Sequence, residues 1–300
     1  MPPSSDTPLA ADRTPAKAAH LLRHADGQDP GVADRPGPSG SLGDSAGWRS
    51  GLLDGVRGLS HGFTGRRLAG VPRELHLAQR PAPAGPVSDP DLVANWTHAI
   101  HPHAVERLSL VSQVHGDVVW VDPTPLGPLA TVGEGDGLVA VVEGDVVAVR
   151  TADCVPVLLA AVKGGRAVGV AAVHAGWRGA ASGVVAEVVR ALLHASGGRA
   201  EALVAAVGPC ICGEHYEVGD EVVQGLSDAG VDPDAFIVGR SGRGRALVDV
   251  GAAVVEQLTG LGVAAVERVG ACTYESPELW SHRRDGAHGG RQAAWIVRVS

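Results

Sequence analysis

The sequence predicts an α/β (α+β) fold, a compact layered sandwich of mixed β-sheets with flanking helices. Short apolar runs of Val, Ala and Leu alternate with amphipathic segments from about residue 108 to the C-terminus. Runs of roughly four to eight such residues between Gly-rich turns favour buried strands, whereas apolar positions spaced by about three or four favour helices. Because both patterns occur along the same stretch, strands and helices are expected to pack in layers.

The apolar runs place the expected elements along the chain. A strand is expected to begin near residues 61–63, and a hairpin where residues 143–145 (Glu-Gly-Asp) separate two apolar runs. Helical spacing of valines and leucines predicts a helix over residues 180–193. The other expected elements are strands at 118–121, 138–142, 146–149, 155–160, 167–173, 203–207, 263–269 and 294–299, and helices at 217–226 and 248–258.

Composition divides the chain into two parts. Residues 1–55 are rich in Pro, Ser, Gly, Ala and Asp and have little hydrophobic periodicity, which predicts a disordered extension. Residues 56–300 are expected to form a single catalytic domain. Since 45% of all residues are hydrophobic, the chain can bury a sizeable core.

Charge and cysteine content argue against some classes of protein. A formal net charge of -8 disfavours a general nucleic-acid binder, which needs a basic surface to neutralise phosphates. No segment has the roughly 18 consecutive apolar residues that span a bilayer, and the N-terminus lacks the apolar run of a signal peptide. We expect a cytoplasmic protein without membrane contact, a monomer or weak homodimer, whose four cysteines form no disulfide framework.

Three short segments each place a metal-ligand residue type beside an apolar run. Their candidate ligands are His115, Cys154 and His174. Zinc binds imidazole nitrogen and thiolate, and a catalytic zinc uses three protein ligands and leaves a fourth position open. The separations of 39 and 20 residues are not those of a zinc finger. On residue types alone, polar residues at strand ends and a buried cysteine account for the trio better than a metal site does.

Neighbouring residues leave further alternatives open. Cys154 could instead be a nucleophile activated by a nearby imidazole. Asp153 is a candidate to orient a ligand imidazole or to accept a proton, and its simpler interpretation is a turn residue. Asp136, between two glycines, has the same two interpretations, and the turn is favoured. Cys210 and Cys212 have C-x-C spacing, which matches neither a redox motif nor a zinc knuckle, so burial or a close approach of the backbone to the site is expected.

Arginines are the candidate anion ligands. Arg178 directly precedes an expected helix, where a guanidinium and backbone N–H groups can bind an anion, and a surface salt bridge is an equal alternative. Arg283 and Arg284 lie on a Gly-rich loop beside Asp285. Guanidinium groups there could bind phosphate or carboxylate, or could belong to a solvated turn.

Taken together, these segments resemble the laccase-domain family of purine nucleoside phosphorylases. That family is also called the multicopper polyphenol oxidase family, and some bacterial members are called peptidoglycan editing factors. The resemblance covers roughly residues 105–300, and residues 174–179 and 283–286 are its most specific parts. The segments, in order, are 113–116 (Gln-Val-His-Gly), 152–154 (Ala-Asp-Cys), 174–179 (His-Ala-Gly-Trp-Arg-Gly), 208–211 (Gly-Pro-Cys-Ile), 216–218 (Tyr-Glu-Val) and 283–286 (Arg-Arg-Asp-Gly).

The resemblance implies a fold, a cofactor and an activity. The implied fold is a compact α/β layered sandwich. The implied cofactor is one metal, usually zinc (Zn2+) with copper (Cu2+) as a possibility, held by His115, Cys154 and His174. The implied activity is cleavage of adenosine, inosine, guanosine and methylthioadenosine with phosphate, together with deamination of adenosine. The partners are then small molecules.

For the implied activity, we assign roles to individual residues as hypotheses. Asp153, Cys154 and Arg178 are expected to be catalytic, with Asp153 or a nearby carboxylate moving protons. Departures occur before residue 113, where residues 75–78 (Leu-His-Leu-Ala) and 95–96 (Asn-Trp) replace family segments, so a substrate-facing arginine is expected to be missing. The expected substrate-binding residues are Arg178, Arg283, Arg284 and Asp285.

Three other functions remain open from the sequence. The same zinc could serve an amidohydrolase that edits a peptidoglycan precursor such as UDP-muramoyl-serine. A copper phenol oxidase ranks last, because paired H-x-H motifs are needed for several coppers and only residues 101–103 provide one. A non-catalytic zinc-binding protein is the remaining alternative.

Overall fold

The computed structural model describes residues 47–67, 74, 77 and 89–300. Helices and strands in these ranges form a layered α/β arrangement with three sheets. Short 3-10 turns occur at Val105–Arg107, Ala200–Ala202, Gly213–His215 and Gly286–His288. The helices are α1 (Gly51–Asp54), α2 (Pro90–Ala99), α3 (Trp177–Ser182), α4 (Val184–Ser196), α5 (Asp220–Asp228), α6 (Pro233–Phe236), α7 (Val250–Gly260) and α8 (His282–Asp285).

The strands build two large mixed sheets and one small antiparallel sheet. The strands in chain order are β1 (Leu59–Phe63), β2 (Leu108–Ser112), β3 (Val119–Val121), β4 (Thr131–Glu134), β5 (Gly137–Ala140), β6 (Val146–Thr151), β7 (Val155–Lys163), β8 (Arg166–Ala175), β9 (Leu203–Val207), β10 (Glu217–Val218), β11 (Ile237–Arg240), β12 (Ala246–Val248), β13 (Ala265–Arg268) and β14 (Gln292–Arg298). The sheet orders are β1-β14-β6-β2-β4, β13-β9-β7-β8-β5-β3 and β10-β12-β11.

The six-stranded sheet is the middle layer, since it is buried on both faces. Along β7, Val157 and Leu159 pack into a core that also contains apolar residues of α4 and α7. The alternate residues Leu158 and Ala160 point to the other face of the sheet. There they pack into a second core, which also contains apolar residues of the five-stranded sheet. Successive strand residues point to opposite faces, so a continuous apolar run is what a strand between two layers requires. The layered α/β sandwich that the sequence predicts is therefore confirmed.

Most expected strands are present, but the hairpin at residues 143–145 is wrong. Leu138 of β5 pairs with Ala172 in the six-stranded sheet. Val146 of β6 pairs with Leu108 and Val297 in the five-stranded sheet. The turn therefore carries the chain from one layer to the other, which apolar runs alone do not distinguish from a hairpin.

Three expected helices have different boundaries. The helix expected at 180–193 is divided into α3 and α4 by Gly183, whose φ of 96° lies in the left-handed region. The segments expected at 217–226 and 248–258 each begin with strand residues, and their helices start at Asp220 and Val250. A residue that ends a strand and a residue that starts a helix can both be apolar, so periodicity places these boundaries poorly.

The expected disordered extension over residues 1–55 is wrong for residues 47–55. Leu53 of α1 is fully buried, and Trp48 forms an antiparallel bridge with Phe63. The backbone N–H of Ser50 donates to Nε2 of the buried His61 over 2.9 Å. These apolar and polar contacts join residues 47–55 to the sheet, while residues 1–46 lie outside the described residues.

In the described part of the chain, no helix is both long enough and apolar enough to cross a membrane.

Candidate metal centre

His115, Cys154 and His174 meet where neighbouring strands end. His115 lies in the turn that follows β2, Cys154 directly precedes β7, and His174 is close to the end of β8. The start of β7 pairs antiparallel with the end of β8, with Pro156 opposite His174. The long separations in sequence are therefore closed by strand pairing rather than by a local motif.

The spacing of the three ligand atoms fits a bound metal ion. These atoms all lie within 4.8 Å of one another. Sγ of Cys154 is 3.9 Å from Nε2 of His115, and the imidazoles of His115 and His174 meet edge to face with centroids 4.8 Å apart. Zinc bonds of about 2.0–2.3 Å place tetrahedral ligand atoms about 3.4–3.8 Å apart. One thiolate and two imidazoles suit zinc, and the same donor set also suits copper.

Local backbone shape is adapted to the cluster. A Cβ atom on Gly176 would lie 2.9 Å from Cδ2 of His115 and 3.1 Å from Sγ of Cys154, so glycine is required for this close approach. His115 and Asp153 both have positive φ, at 60° and 87°, which is uncommon for residues with a side chain. Such backbone conformations cost about 1–3 kcal/mol each and concentrate at functional sites.

Asp136 holds two of the three candidate ligands in position. Its buried carboxylate accepts a hydrogen bond of 2.8 Å from Nδ1 of His174. It also accepts the backbone N–H groups of Val114, His115 and Gly116 over 3.2, 3.1 and 2.7 Å. The carboxylate fixes the Nδ1–H tautomer of His174, which leaves Nε2 as the ligand atom, and it holds the turn that carries His115.

The electrostatics of the cluster favour an ionised cysteine. Burial alone would raise the pKa of Cys154, but the charge of His174 and hydrogen bonds from His115 and His174 outweigh it and lower the pKa to about 6. Burial would lower the pKa of His174, but the Cys154 thiolate and Asp136 raise it to about 9. The thiolate is the form of cysteine that binds metal and also the form that acts as a nucleophile.

Asp153 connects three loops instead of contacting an imidazole. Oδ1 accepts a hydrogen bond of 2.6 Å from the Thr273 hydroxyl, and Oδ2 accepts one of 2.6 Å from the backbone N–H of Arg283. Its carbonyl accepts the N–H of Ile211 over 3.0 Å. Of the two aspartates with an open role, Asp136 is the one that orients a ligand imidazole.

Arg283 and Arg178 each lie over an aromatic ring, that of Tyr216 and that of Trp177. The guanidinium of Arg283 is 4.9 Å from the centre of the Tyr216 ring, and that of the exposed Arg178 is 4.4 Å from the Trp177 ring. Burial and then the charge of Cys154 raise the pKa of Tyr216, while Arg283 and Arg178 oppose this rise. Tyr216 is therefore within electrostatic reach of the thiolate and of both arginines.

Arg284 and Asp285, two of the expected substrate ligands, form hydrogen bonds within their own loop. Nε of Arg284 donates to Asp285 over 2.8 Å, and this bond is the main cause of the lowered pKa of Asp285. Nη1 and Nη2 of Arg284 also donate hydrogen bonds to acceptors in the same loop. Its acceptors include the backbone carbonyls of Thr273, Tyr274, Ser276 and Leu279 at 2.5–2.9 Å.

Sequence reasoning missed the contribution of three residues. Asp136 had only its place between two glycines as a signal, and a turn explained that equally well. Tyr216 belongs to a family segment, but a tyrosine at that place in the sequence does not indicate its neighbours in the fold. Thr273, which holds Asp153, has no signal in the sequence, because it becomes relevant only when residues 273 and 153 meet in the fold.

An α/β sandwich with a His–Cys–His cluster at its strand ends, supported by a buried aspartate, defines a candidate metalloenzyme. Residues 89–299 match the family described as multi-copper polyphenol oxidoreductase laccase, and the chain belongs to this family.

Relatives and solved structures agree with this membership. A protein of Streptomyces coelicolor named purine nucleoside phosphorylase is 38% identical over 253 residues, which cover 82% of this chain and 98% of the relative. A protein of an unknown prokaryotic organism named adenosine deaminase is 36% identical over 54% of this chain and 62% of the relative. The crystal structure of YlmD from Geobacillus stearothermophilus matches with a TM-score of 0.72 and 26% identity, over 88% of this chain and 100% of that one.

Proposed function

We propose that this protein is a zinc-dependent purine nucleoside phosphorylase that also deaminates adenosine. Its substrates would be phosphate and nucleosides such as adenosine, inosine, guanosine and methylthioadenosine. The observation that carries the proposal is that the cluster of His115, Cys154 and His174 adjoins two segments that carry arginines. The backbone N–H of Arg283 donates to Asp153, which directly precedes Cys154, and Arg178 follows His174 by four positions at the start of α3. The names of the relatives, purine nucleoside phosphorylase and adenosine deaminase, support the class of reaction.

The proposed cofactor fits the donor set of the cluster. Zinc held by His115, Cys154 and His174 would supply a Lewis acid that acidifies water toward neutral pH. Asp136 holds the His174 ring in one tautomer and one orientation. Asp153 lies next to Cys154 and is held by Thr273 over 2.6 Å, so its carboxylate is the proposed group that accepts and returns a proton.

The arginines are the proposed phosphate ligands. In phosphorolysis, a phosphate oxygen attacks C1′ of the ribose, the bond from C1′ to the purine nitrogen breaks, and the purine leaves with a proton. Guanidinium groups neutralise and orient the phosphate, which lowers the entropy cost of bringing it to C1′. Arg283 and Arg178 bind the phosphate in this proposal. Asp153 takes the proton that the attacking dihydrogen phosphate gives up and passes it to the purine nitrogen as the bond to C1′ breaks, so the carboxylate ends the step unchanged. We leave Arg284 out of this proposal, because its guanidinium donates to loop carbonyls.

The test is to assay inosine and adenosine with and without phosphate on protein of known metal content. We expect hypoxanthine from inosine only with phosphate, and ammonia from adenosine without it. Arg283→Gln should raise the KM for phosphate by about tenfold or more, since a charged hydrogen bond is worth about 1.5–3 kcal/mol. The matched control is Arg199→Gln, because Arg199 is an exposed arginine that pairs with the exposed Glu201.

The remaining outcomes separate the alternative functions. Full nucleoside turnover by metal-free His115→Ala protein would refute the proposed site. A zinc protein that leaves nucleosides unchanged but hydrolyses UDP-muramoyl-serine would be an amidohydrolase. Copper in the purified protein together with phenol oxidation would instead support an oxidase.

A further inference from the structure

A second cluster of metal-ligand side chains lies outside the candidate centre. Cys212 and His215 are three positions apart around the turn Gly213–His215, and Cys272 and Glu275 are three positions apart in a turn after β13. Each segment therefore has the pattern of a ligand, two other residues and a second ligand. Structural zinc sites commonly take their ligands in pairs with spacing of this kind.

The four side chains converge on one point. Their ligand atoms all lie within 4.8 Å of one another. Sγ of Cys212 is 3.2 Å from Nδ1 of His215, and that nitrogen is 3.5 Å from Oε1 of Glu275. These distances are close to the separation of about 3.4–3.8 Å between ligand atoms around a tetrahedral zinc. The His215 ring is held in place by stacking on Tyr274, with centroids 4.5 Å apart and an angle of 20°.

Backbone contacts fix the two segments beside each other. Cys210 and Cys272 form a parallel bridge, and the N–H of Thr273 donates to the carbonyl of Cys210 over 3.0 Å. The N–H of Cys212 donates to Sγ of Cys272 over 3.2 Å. This backbone N–H orients the sulfur of Cys272, as hydrogen-bond partners orient ligands around bound metals. The cluster is therefore positioned by the fold as well as by its side chains.

The composition of the cluster selects the kind of metal. Two cysteine sulfurs and one imidazole are soft or borderline ligands, which favour zinc over magnesium or calcium. Glu275 is 61% exposed and His215 is 31% exposed at their side chains, so a hydrated ion can reach the site from solvent. The carboxylate completes a set of four protein ligands, which is the number at a structural zinc site, whereas a catalytic site has three.

We propose that Cys212, His215, Cys272 and Glu275 bind a second zinc ion, separate from the His115–Cys154–His174 centre. The ion joins the segment at residues 210–215 to the turn at residues 272–276. This site does not depend on the proposed nucleoside activity, because it involves none of the residues assigned to that reaction.

The second site also supports the first through shared segments. Thr273 follows Cys272 directly and donates its hydroxyl to Asp153. Tyr216 follows His215 directly and lies under Arg283. A metal that holds Cys272 and His215 therefore limits the movement of two residues that contact the candidate catalytic groups. Loss of this metal should lower turnover indirectly and leave metal at the first site.

The test measures metal per chain by mass spectrometry on full-length protein purified with zinc and without chelator. We expect two zinc ions in the wild type and one in each of Cys212→Ser and Cys272→Ser. The matched control is Cys210→Ser, which removes a cysteine from the same segment but outside the cluster and should keep two ions. Cys154→Ser should also bind one ion, and cobalt in that variant should show thiolate absorption that the double variant with Cys212→Ser lacks.

The outcomes separate this site from the first one. If His115→Ala and Cys154→Ser keep all the zinc while Cys212→Ser loses it, the second site stands and the first fails. If Cys212→Ser and Cys272→Ser are folded by circular dichroism and bind as much zinc as the wild type, the second site is refuted. A disulfide between Cys212 and Cys272 in the freshly purified wild type, shown by peptide mapping, would refute it as well.

Discussion

At the scale of single residues, Asp136 does more than its position in a glycine-rich turn suggests. One buried carboxylate accepts the Nδ1–H of His174 and three backbone N–H groups of the turn that carries His115. Burial would raise the pKa of Asp136, but these hydrogen bonds outweigh it and lower the pKa. The aspartate therefore stays ionised and couples two of the three candidate ligands.

Replacement of this carboxylate should weaken metal binding. Asp136→Asn removes the charge that orients His174 and places an NH2 group against backbone N–H donors. We expect the zinc affinity of the first site to fall by about 10–100-fold, the usual effect of losing such a partner. Competition with a chromophoric chelator measures this affinity. Both proteins also carry Cys212→Ser, so that only zinc at the first site contributes to the measurement.

The control for this experiment is a neighbouring acid. Asp117→Asn changes an exposed aspartate two positions after His115 and should leave zinc affinity within about twofold of the parent. Equal affinities for the Asp136→Asn and Asp117→Asn proteins would contradict the role assigned to Asp136.

Residue types and a family resemblance were sufficient to propose His115, Cys154 and His174, because histidine and cysteine are uncommon and chemically distinctive. They were insufficient for Asp136 and Arg284. The role of each depends on which backbone groups surround it, and those groups come from residues 114–116 and 273–279. The sequence contains no sign that these segments meet the two side chains.

At the scale of elements, Gly183 separates α3 from α4. Its φ of 96° is left-handed, and a Cβ there would contact nothing within 4 Å. Glycine is therefore favoured at this position by the left-handed backbone conformation, and not by a lack of room for a side chain. For a residue with a side chain, the left-handed region costs about 1–2 kcal/mol.

A pair of identical substitutions tests this interpretation. Gly183→Ala should lower the free energy of unfolding by about 1 kcal/mol. Gly260→Ala is the matched control, because Gly260 ends α7 without a positive φ and with no atom within 4 Å of its Cβ position. It should raise the free energy of unfolding by about 0.4–1 kcal/mol. Urea unfolding measures both, and a change of the same sign in the two variants would contradict the argument.

Elements also show where periodicity stops being informative. The apolar runs of β7, β8 and β9 predict buried strands correctly, because a strand between two layers must be apolar on both faces. The same runs do not state which strands pair. The turn at residues 143–145 joins two apolar runs like a hairpin, yet β5 and β6 belong to different sheets, and that choice is made by long-range pairing.

At the scale of the whole molecule, residues 47–55 hold part of the sandwich edge together. Ser50 donates its hydroxyl to Glu267 over 2.5 Å and its N–H to His61 of β1. Arg49 donates to the carbonyl of His61 over 2.8 Å. The segment therefore joins β1 and β13, which belong to different sheets, and its Pro- and Gly-rich surroundings in the sequence conceal this role.

His61 makes this junction sensitive to pH. Burial, followed by the charge of Arg49, lowers its pKa from 6.5 to about 4, and its neutral Nε2 accepts the Ser50 N–H. Between these values the unfolded chain binds a proton that the folded protein does not, so the free energy of unfolding falls as pH falls. A shift of this size predicts a loss of about 2 kcal/mol between about pH 7 and pH 5.

His61→Gln isolates this contribution, since glutamine can still accept the Ser50 N–H but does not titrate. Urea unfolding of both proteins at about pH 7 and pH 5 gives the loss of stability of each. The difference between the two losses removes the contributions of the other acids, histidines and metal ligands to the pH dependence, because both proteins contain them. We expect the wild type to lose about 2 kcal/mol more than the variant. Equal losses would show that the folded protein and the unfolded chain bind a proton at His61 equally well, which would contradict this prediction.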